Sequence, residues 1–213
     1  TRIQFDSSRE WLKARKGIGG SDASAILGLN PYKTNQELWM EKKGQMYPVD
    51  ISDKPYVKYG NDAEPLLRAL FSLDYPEYTV EYYDNNMLIN KKYPWAHASL
   101  DGELIDGEGR RGILEIKTSA ILQSMQWQKW DNLLQSMQRE KWKDRIPDNY
   151  YIQVLHYLLV TEYDFVVLKA QLKRVRDGEV RLTTKHYHIE REEVLDDIEM
   201  LKNEEEKFWH SLQ

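Results

Sequence analysis

A chain of 213 residues with 41% hydrophobic and 31% charged side chains suits one substantial globular domain and has no apolar run of membrane-spanning length. It contains no cysteine, which excludes disulfides, zinc–thiolate sites and iron–sulfur clusters; any metal must sit on carboxylates, carbonyls, histidines or water, a set that favours hard ions such as magnesium or manganese. The net charge of −5 is uneven, because residues 190–207 hold nine acidic and three basic side chains and leave the rest near +1, so a local basic groove is compatible with the sequence but a globally basic surface is not. No targeting segment is visible, and a cytoplasmic location is expected.

In chain order, residues 8–15 predict a short helix capped by Ser8. Gly17-Ile18-Gly19-Gly20-Ser21-Asp22 predicts a tight turn into a helix over 21–28, broken by Asn30-Pro31. Thr34 starts another helix that ends at Gly44. Residues 61–73 form a helical pattern with Leu66, Leu67, Leu70 and Phe71 on one face. The middle of the chain is β: a hairpin 78–83/86–90 across Asn85, and a second, 95–105/111–118, joined by Asp106-Gly107-Glu108-Gly109. A helical stretch is expected over 120–145 and a short amphipathic helix over 149–160. A third hairpin, 164–174/179–189, turns at Asp177-Gly178, and an acidic helix, 190–211, closes the chain as a solvated face. This order implies an α/β or α+β fold with a mostly antiparallel sheet. Leu122-Gln123-Ser124-Met125-Gln126 recurs as Leu134-Gln135-Ser136-Met137-Gln138, a local duplication too short for a solenoid.

The second hairpin carries the chemistry. Strand alternation puts His97, Ser99, Asp101 and Glu103 on one face, with Ala98, Leu100 and Leu104 on the other; Glu115 and Lys117 share a face opposite Leu114 and Ile116. A turn near Glu108 sets Asp101 directly across from Glu115. Two carboxylates so placed repel, and a divalent cation between them reverses the sign. Water acidified by such an ion can attack phosphorus, with Lys117 orienting it or stabilising the developing charge. Periodicity alone leaves a second reading open, that of a solvent-facing hairpin with ordinary charges.

Several motifs occur together and in order: Arg15-Lys16-Gly17-Ile18-Gly19-Gly20-Ser21-Asp22, Gly60-Asn61-Asp62-Ala63-Glu64, Ser99-Leu100-Asp101-Gly102, Leu114-Glu115-Ile116-Lys117-Thr118, and the stretch from Pro147 to Tyr157. From about Trp11 to Leu159 the chain resembles the YqaJ-type viral recombinase nucleases, lambda-exonuclease-like members of the PD-(D/E)xK superfamily. The resemblance implies a central mixed sheet flanked by helices, in a single nuclease domain over 1–213. It implies that Asp101, Glu115, the Ile116 carbonyl and Glu64 serve a magnesium or manganese ion, that Lys117 is the catalytic lysine, and that Gln153 and Tyr157 reach the substrate from one helix face. Arg15 and Ser21 match the region that holds a terminal phosphate, joined by Ser99 and more weakly by Lys33; a glycine turn at a helix start offers N–H groups to an anion. Gly19-Gly20 depart from lambda exonuclease, which has larger residues there. The implied activity is 5′-to-3′ digestion of double-stranded DNA ends in recombination by single-strand annealing, with an annealing protein as partner and a ring-like homotrimer as assembly. A structure-specific or restriction-type endonuclease and a non-catalytic DNA-end-binding module are the alternatives. Trp127, Trp130 and Trp142, beside Lys129, Lys141, Lys143 and Arg145, are either DNA contacts or core anchors. His186 and His188 share a strand face without a third ligand and are read as structural.

Overall fold

A computed structural model describes residues 1–121 and 146–213. The elements among them run β1 (Arg2–Gln4), α1 (Ser8–Ala14), α2 (Gly20–Ile26), α3 (Asn35–Lys42), α4 (Pro55–Asp74), β2 (Thr79–Glu81), β3 (Asn86–Asn90), β4 (Tyr93–Ala98), β5 (Gly102–Ile105), β6 (Arg111–Ile121), α5 (Asp148–Thr161), β7 (Phe165–Arg176), β8 (Glu179–Glu190) and α6 (Leu195–Ser211). They build two sheets, a three-stranded one in the order β1-β3-β4 and a five-stranded one in the order β2-β5-β6-β7-β8. The larger sheet is mixed: β6 and β7 run parallel and the other pairs antiparallel. Parallel neighbours need a crossover, and α5 lies within it.

The centre of this sheet is covered on both faces. Leu114, Ile116, Phe165 and Val167 pack against Leu67 and Phe71 of α4. The opposite face, with Ile113, Val166, Leu168 and Ala170, packs in one cluster with α2, α5 and α6. The expected α/β class, a central mixed sheet flanked by helices, is the observed one.

Several elements differ in detail from the sequence pattern, each for a tertiary reason. Residues 78–83 and 86–90 do not pair; β2 pairs with β5, and β3 lies between β1 and β4. Residues 95–105 are not one strand, because the chain bends at Ser99-Leu100-Asp101 and passes from the small sheet to the large one. In α4 the apolar stripe is narrower than expected: Leu67 and Phe71 are buried while Leu66 and Leu70 are exposed, since the helix meets the sheet along one line. Helix α5 is not amphipathic but buried from Ile152 through Val160 at all positions except Gln153, because it lies between the sheet and α2 and α6. Strand β6 continues to Ile121, replacing helix at 120–121. The remainder of the expected 120–145 helix, the duplicated segment and its three tryptophans lie outside the described residues. Ser7, not Ser8, caps α1, accepting from the Glu10 N–H. The third hairpin forms as expected, with Asp177 (φ 51°) and Gly178 (φ 80°) both left-handed, as a two-residue turn of this hand requires.

The acidic last helix is not only a solvated face. Glu205 is fully buried, and its Oε1 lies 2.6 Å from Nδ1 of the equally buried His156. Nε2 of His156 lies 2.9 Å from the His97 carbonyl, which can only accept. Nε2 therefore donates, and the Glu205 contact at Nδ1 favours the imidazolium. Burial alone would lower its pKa; Glu205 and the His97 carbonyl together hold it above the ordinary histidine value. His186 and His188 lie on the α4 face, where His186 meets the Tyr75 hydroxyl at 3.2 Å and His188 stacks on Phe165 at 5.3 Å between centroids.

Candidate active site

The bend at Ser99–Asp101 creates the site. The β5–β6 ladder ends at Gly102↔Leu114, and its continuation sets Asp101 level with Glu115. Asp101 turns back to accept the Ile116 N–H at 2.8 Å. Glu115 is 1% exposed, so it is not a solvent-facing strand carboxylate. Lys117, two residues along the same face, reaches Glu115 Oε1 at 2.6 Å and lies 4.9 Å from the Tyr150 ring centre. From the other side of the bend, α4 brings Glu64. Arg68, one turn later, donates to the Glu64 carboxylate and to the Asp101 carbonyl, and its Cζ lies over the Tyr82 ring, 3.4 Å from the centre.

The electrostatics are those of too much negative charge in too little water. Burial first and Asp101 second push the Glu115 carboxyl up to about 8, against the pull of Lys117. Burial and Asp101 likewise raise Glu64 to about 7, with Arg68 opposing. Asp101 is raised by burial although Lys117 and the Ile116 N–H favour its charged form. Burial would lower Lys117, but Glu115 and Asp101 hold it above the ordinary lysine value. Oε2 of Glu115 is buried with no hydrogen-bond partner. Among the described residues no three His, Asp or Glu side chains converge tightly enough to grip an ion in their present rotamers. Even so, three oxygen-bearing carboxylates, each made costly to charge, and an orphaned carboxylate oxygen fit the chemistry of a hard divalent cation.

A cleft of about 300 Å³ opens over this cluster. Seven of the residues singled out from sequence line it: Arg15, Ser21, Glu64, Ser99, Asp101, Gln153 and Tyr157. Glu115 and Lys117 are not among its lining residues. Lys33 is not brought there either and pairs with Glu41 at 2.6 Å. Ser99 is already engaged, donating to the Asn86 carbonyl at 2.9 Å and accepting from the Trp11 indole at 3.1 Å. Gln153 donates to the Tyr157 hydroxyl at 2.8 Å, the i to i+4 contact that their spacing allows. Sequence reasoning missed Trp11, Tyr82, His97 and Arg68. Only Arg68 left a legible trace, as the partner of a Glu64–Arg68 pair four residues apart on a helix. Arg15 stacks over Trp11 at 4.7 Å, facing the cleft with it.

The glycine segment does something other than offer a row of free N–H groups. Ile18 N–H donates to Trp95 O at 2.7 Å, and Gly19 N–H is taken by the Asp22 carboxylate at 3.1 Å. The segment runs alongside β4, and its missing side chains make room for aromatic rings. A Cβ on Gly19 would stand 2.9 Å from the His97 ring, and one on Gly20 only 2.4 Å from that of Tyr157. Tyr157 is 6% exposed and its ring would have to shift, so Gly20→Ala is expected to cost about 1–3 kcal/mol of stability and to displace Tyr157 from Gln153. Thermal unfolding checks the first effect; an unchanged midpoint would mean that the helix slides without cost.

These motifs, in this order on this fold, agree with a family profile described as the YqaJ-like viral recombinase domain, which matches residues 10–164. The chain belongs to the YqaJ-like viral recombinase family. Among curated relatives of this YqaJ-like chain, the uncharacterized protein YqaJ of Bacillus subtilis (strain 168) is 32% identical over 205 residues, covering 96% of this chain and 56% of that protein. The chain thus spans just over half the length of this relative. Among solved structures, the alkaline exonuclease LHK-Exo of Laribacter hongkongensis is similar with a TM-score of 0.64 at 17% identity, over 96% of this chain and 92% of that one. The same enzyme in complex with dAMP gives a TM-score of 0.65 at the same identity and coverage. A phage related exonuclease of Haemophilus somnus 129PT gives 0.55 at 14% identity, over 92% of this chain and 94% of that one. At such identities the likeness is one of fold, and the YqaJ-like chain has the fold of these phage-type and alkaline exonucleases.

Proposed function

We propose that this protein is a metal-dependent deoxyribonuclease that digests linear duplex DNA from its ends, in the 5′-to-3′ direction, and leaves a single strand for annealing. The observation that carries the reading is the buried Asp101–Glu115–Lys117 cluster beneath a cleft walled by Glu64, Gln153, Tyr157, Ser99, Ser21 and Arg15. Its fold likeness to exonucleases, one of them solved with a deoxynucleotide, supports the substrate class. Asp101, Glu115, the Ile116 carbonyl and Glu64 would hold magnesium or manganese. When bound, such an ion neutralises phosphoryl oxygens and acidifies water for attack on phosphorus.

The chain's own residues supply the rest. Lys117 keeps its proton beside Glu115 and Asp101, so its ammonium is available to stabilise charge on the transferring phosphoryl group. Arg68 draws Glu64 and the Asp101 backbone together and fixes the spacing between α4 and the bend. Gln153 and Tyr157 present a fixed donor–acceptor pair to the scissile strand. Arg15, over the Trp11 ring at the cleft wall, would receive a terminal phosphate together with Ser21. A homotrimeric ring and an annealing protein as partner belong to the same reading.

Magnesium-dependent digestion of linear duplexes with and without a 5′-phosphate, beside closed circular DNA, tests it. Wild type is expected to degrade phosphorylated linear ends and to spare circles; nicking of circles would transfer the reading to an endonuclease. Arg15→Ala is expected to lose the preference for phosphorylated over hydroxyl ends, by about 1.5–3 kcal/mol in relative rate, the scale of a charge-assisted hydrogen bond. An unchanged preference would move the phosphate site away from Arg15.

A further inference from the structure

Near its end, β4 carries a histidine side chain that the proposed chemistry leaves unused. His97 is 6% exposed and lines the cleft together with Arg15, Gly19, Gly20 and Ser21. Its backbone is engaged on both sides: the N–H donates to the Ile18 carbonyl at 3.0 Å, and the carbonyl accepts from Nε2 of His156 at 2.9 Å. Its own ring is not, for Nε2 is buried with no hydrogen-bond partner among the described residues. The neighbouring glycines locate that edge of the ring. A Cβ on Gly17 would stand 3.4 Å from Cδ2, and one on Gly19 2.9 Å from Cε1. These are the two carbons bonded to Nε2, so the free nitrogen faces the glycine segment, where Gly19 itself borders the cleft. Neither glycine has a side chain to come between the ring and a ligand.

A polar nitrogen buried without a partner has given up its bonds to water for nothing, and an apolar side chain of similar shape would pack there at no such cost. A ligand seated in the cleft restores the missing bond. The charge of the ring narrows the chemistry of that ligand. Burial first and His156 second, with Arg15 adding to them, push the His97 pKa down to about 3, so the ring is a neutral imidazole close enough to Arg15 to feel its charge. A neutral imidazole offers one N–H. Beside Arg15 it adds a directed donor without the repulsion that a second cation would bring to the empty cleft. A terminal phosphate presents three acceptor oxygens, which the Arg15 guanidinium, the Ser21 hydroxyl and the His97 N–H can share.

We infer that His97 is a phosphate-binding residue of the cleft, donating from Nε2 to the 5′-phosphate that Arg15 and Ser21 receive and so helping to select phosphorylated over hydroxyl ends. The inference rests on the nuclease reading for the identity of its ligand. The unpartnered nitrogen and its place on the cleft wall do not depend on that reading.

The test is the affinity for a short fluorescent duplex with 5′-phosphate or 5′-hydroxyl ends, measured without magnesium so that nothing is cut, for wild type, His97→Leu and His97→Gln. Leucine fills a similar space and removes both nitrogens; glutamine keeps an uncharged N–H near the position of Nε2. The ratio of the two affinities is expected to fall about tenfold in His97→Leu, the scale of a hydrogen bond to a charged group, and to be largely kept in His97→Gln. His97→Leu is expected to melt no lower than wild type, because it removes an unpartnered polar group; a merely structural histidine would melt lower and leave the ratio alone. A wild-type ratio in His97→Leu overturns the proposal, and is the result expected if only a buried water meets Nε2. An equal loss of the ratio in both variants also overturns it, since disturbed packing against Gly19 would then be the cause. Should His97→Leu fail to fold, wild type with isotopically labelled histidine nitrogens decides. The Nε2 resonance that His97→Gln lacks is expected to move with a 5′-phosphorylated oligonucleotide and not with its 5′-hydroxyl counterpart; a resonance indifferent to the phosphate refutes the assignment. The nuclease reading fails separately: wild type that prefers phosphorylated ends in binding yet cuts no DNA in magnesium refutes it and leaves His97 in place. Wild type that cuts linear DNA but binds both kinds of end alike refutes the His97 site alone.

Discussion

Glu115→Gln is expected to lower DNA cleavage about a thousandfold or more while the protein stays folded. The side chain is isosteric, Leu114 and Ile116 on the other face of β6 are untouched, and the substitution removes a negative charge that burial and Asp101 already make costly. What it takes away is the negative charge of one of the carboxylates that would hold the divalent ion. Loss of about 4 kcal/mol of transition-state stabilisation, the scale of a Lewis-acid contribution, corresponds to about three orders of magnitude in rate. Asp101→Asn is expected to behave alike, since an amide oxygen can still accept the Ile116 N–H. Lys117→Ala should lower the rate far more than the affinity for metal, because its ammonium acts on charge that develops in the transition state. Digestion rates under saturating magnesium, circular dichroism and calorimetric metal titration decide between these effects. Wild-type cleavage by Glu115→Gln or Asp101→Asn under matched magnesium would remove the assignment. Recovery of Lys117→Ala at higher magnesium would reduce Lys117 to a tuning role.

The largest loss of stability is expected at Glu205, which takes no part in the proposed chemistry. Glu205→Ala strips the counter-ion from a fully buried imidazolium and is expected to cost about 3–5 kcal/mol. For a chain of this size that lowers the thermal midpoint by about 6–20 °C. The pair also sets a pH dependence with a definite sign. His156 has a raised pKa in the fold, so its contribution is complete below the unfolded value near 6.5 and is lost as pH rises through the folded value. His97 acts oppositely. Burial first and His156 second lower it to about 3, so stability falls as pH drops from about 6.5 towards that value, where the unfolded chain binds a proton that the fold refuses. The alkaline limb is shared, because the raised carboxyls of Glu115 and Glu64 also cost stability as pH rises from their unfolded range to about 8 and about 7. Glu205→Gln should remove the His156 share of the alkaline decline and leave the acidic one in place. Chemical denaturation between about pH 4 and 9 reads both limbs; a variant with the full wild-type alkaline decline would mean that His156 is not the titrating group.

The sequence by itself determined those parts of the protein that depend on neighbours along the chain or on one ladder. The register that sets Asp101 across from Glu115 follows from the Asp106–Gly109 turn, and the β7–β8 hairpin follows from Asp177-Gly178, because a short turn fixes which residues face each other. The Thr34–Glu37 capping box and the Gln153–Tyr157 contact are equally local. The ordered motifs also carried the family and, through it, seven residues that meet in one cleft. Tertiary structure decided the rest. Alternation along 95–105 reads as one continuous strand, and only the passage of its halves into two different sheets bends it at Ser99–Asp101 and turns the carboxylate back to the Ile116 N–H. The parallel β6–β7 pairing depends on a crossover through α5 that no local pattern encodes, yet it buries Glu115 and so raises its pKa. The glycines of the 17–20 segment read as a turn, but two of them answer to rings of His97 and Tyr157 contributed from 78 or more residues away. Glu205 looked like one charge in a solvated run, because nothing within its helix reveals that His156, 49 residues earlier, waits beneath it. Local sequence fixes which side chains can share a face; whether that face meets water, a sheet or another buried charge is settled only when distant segments pack.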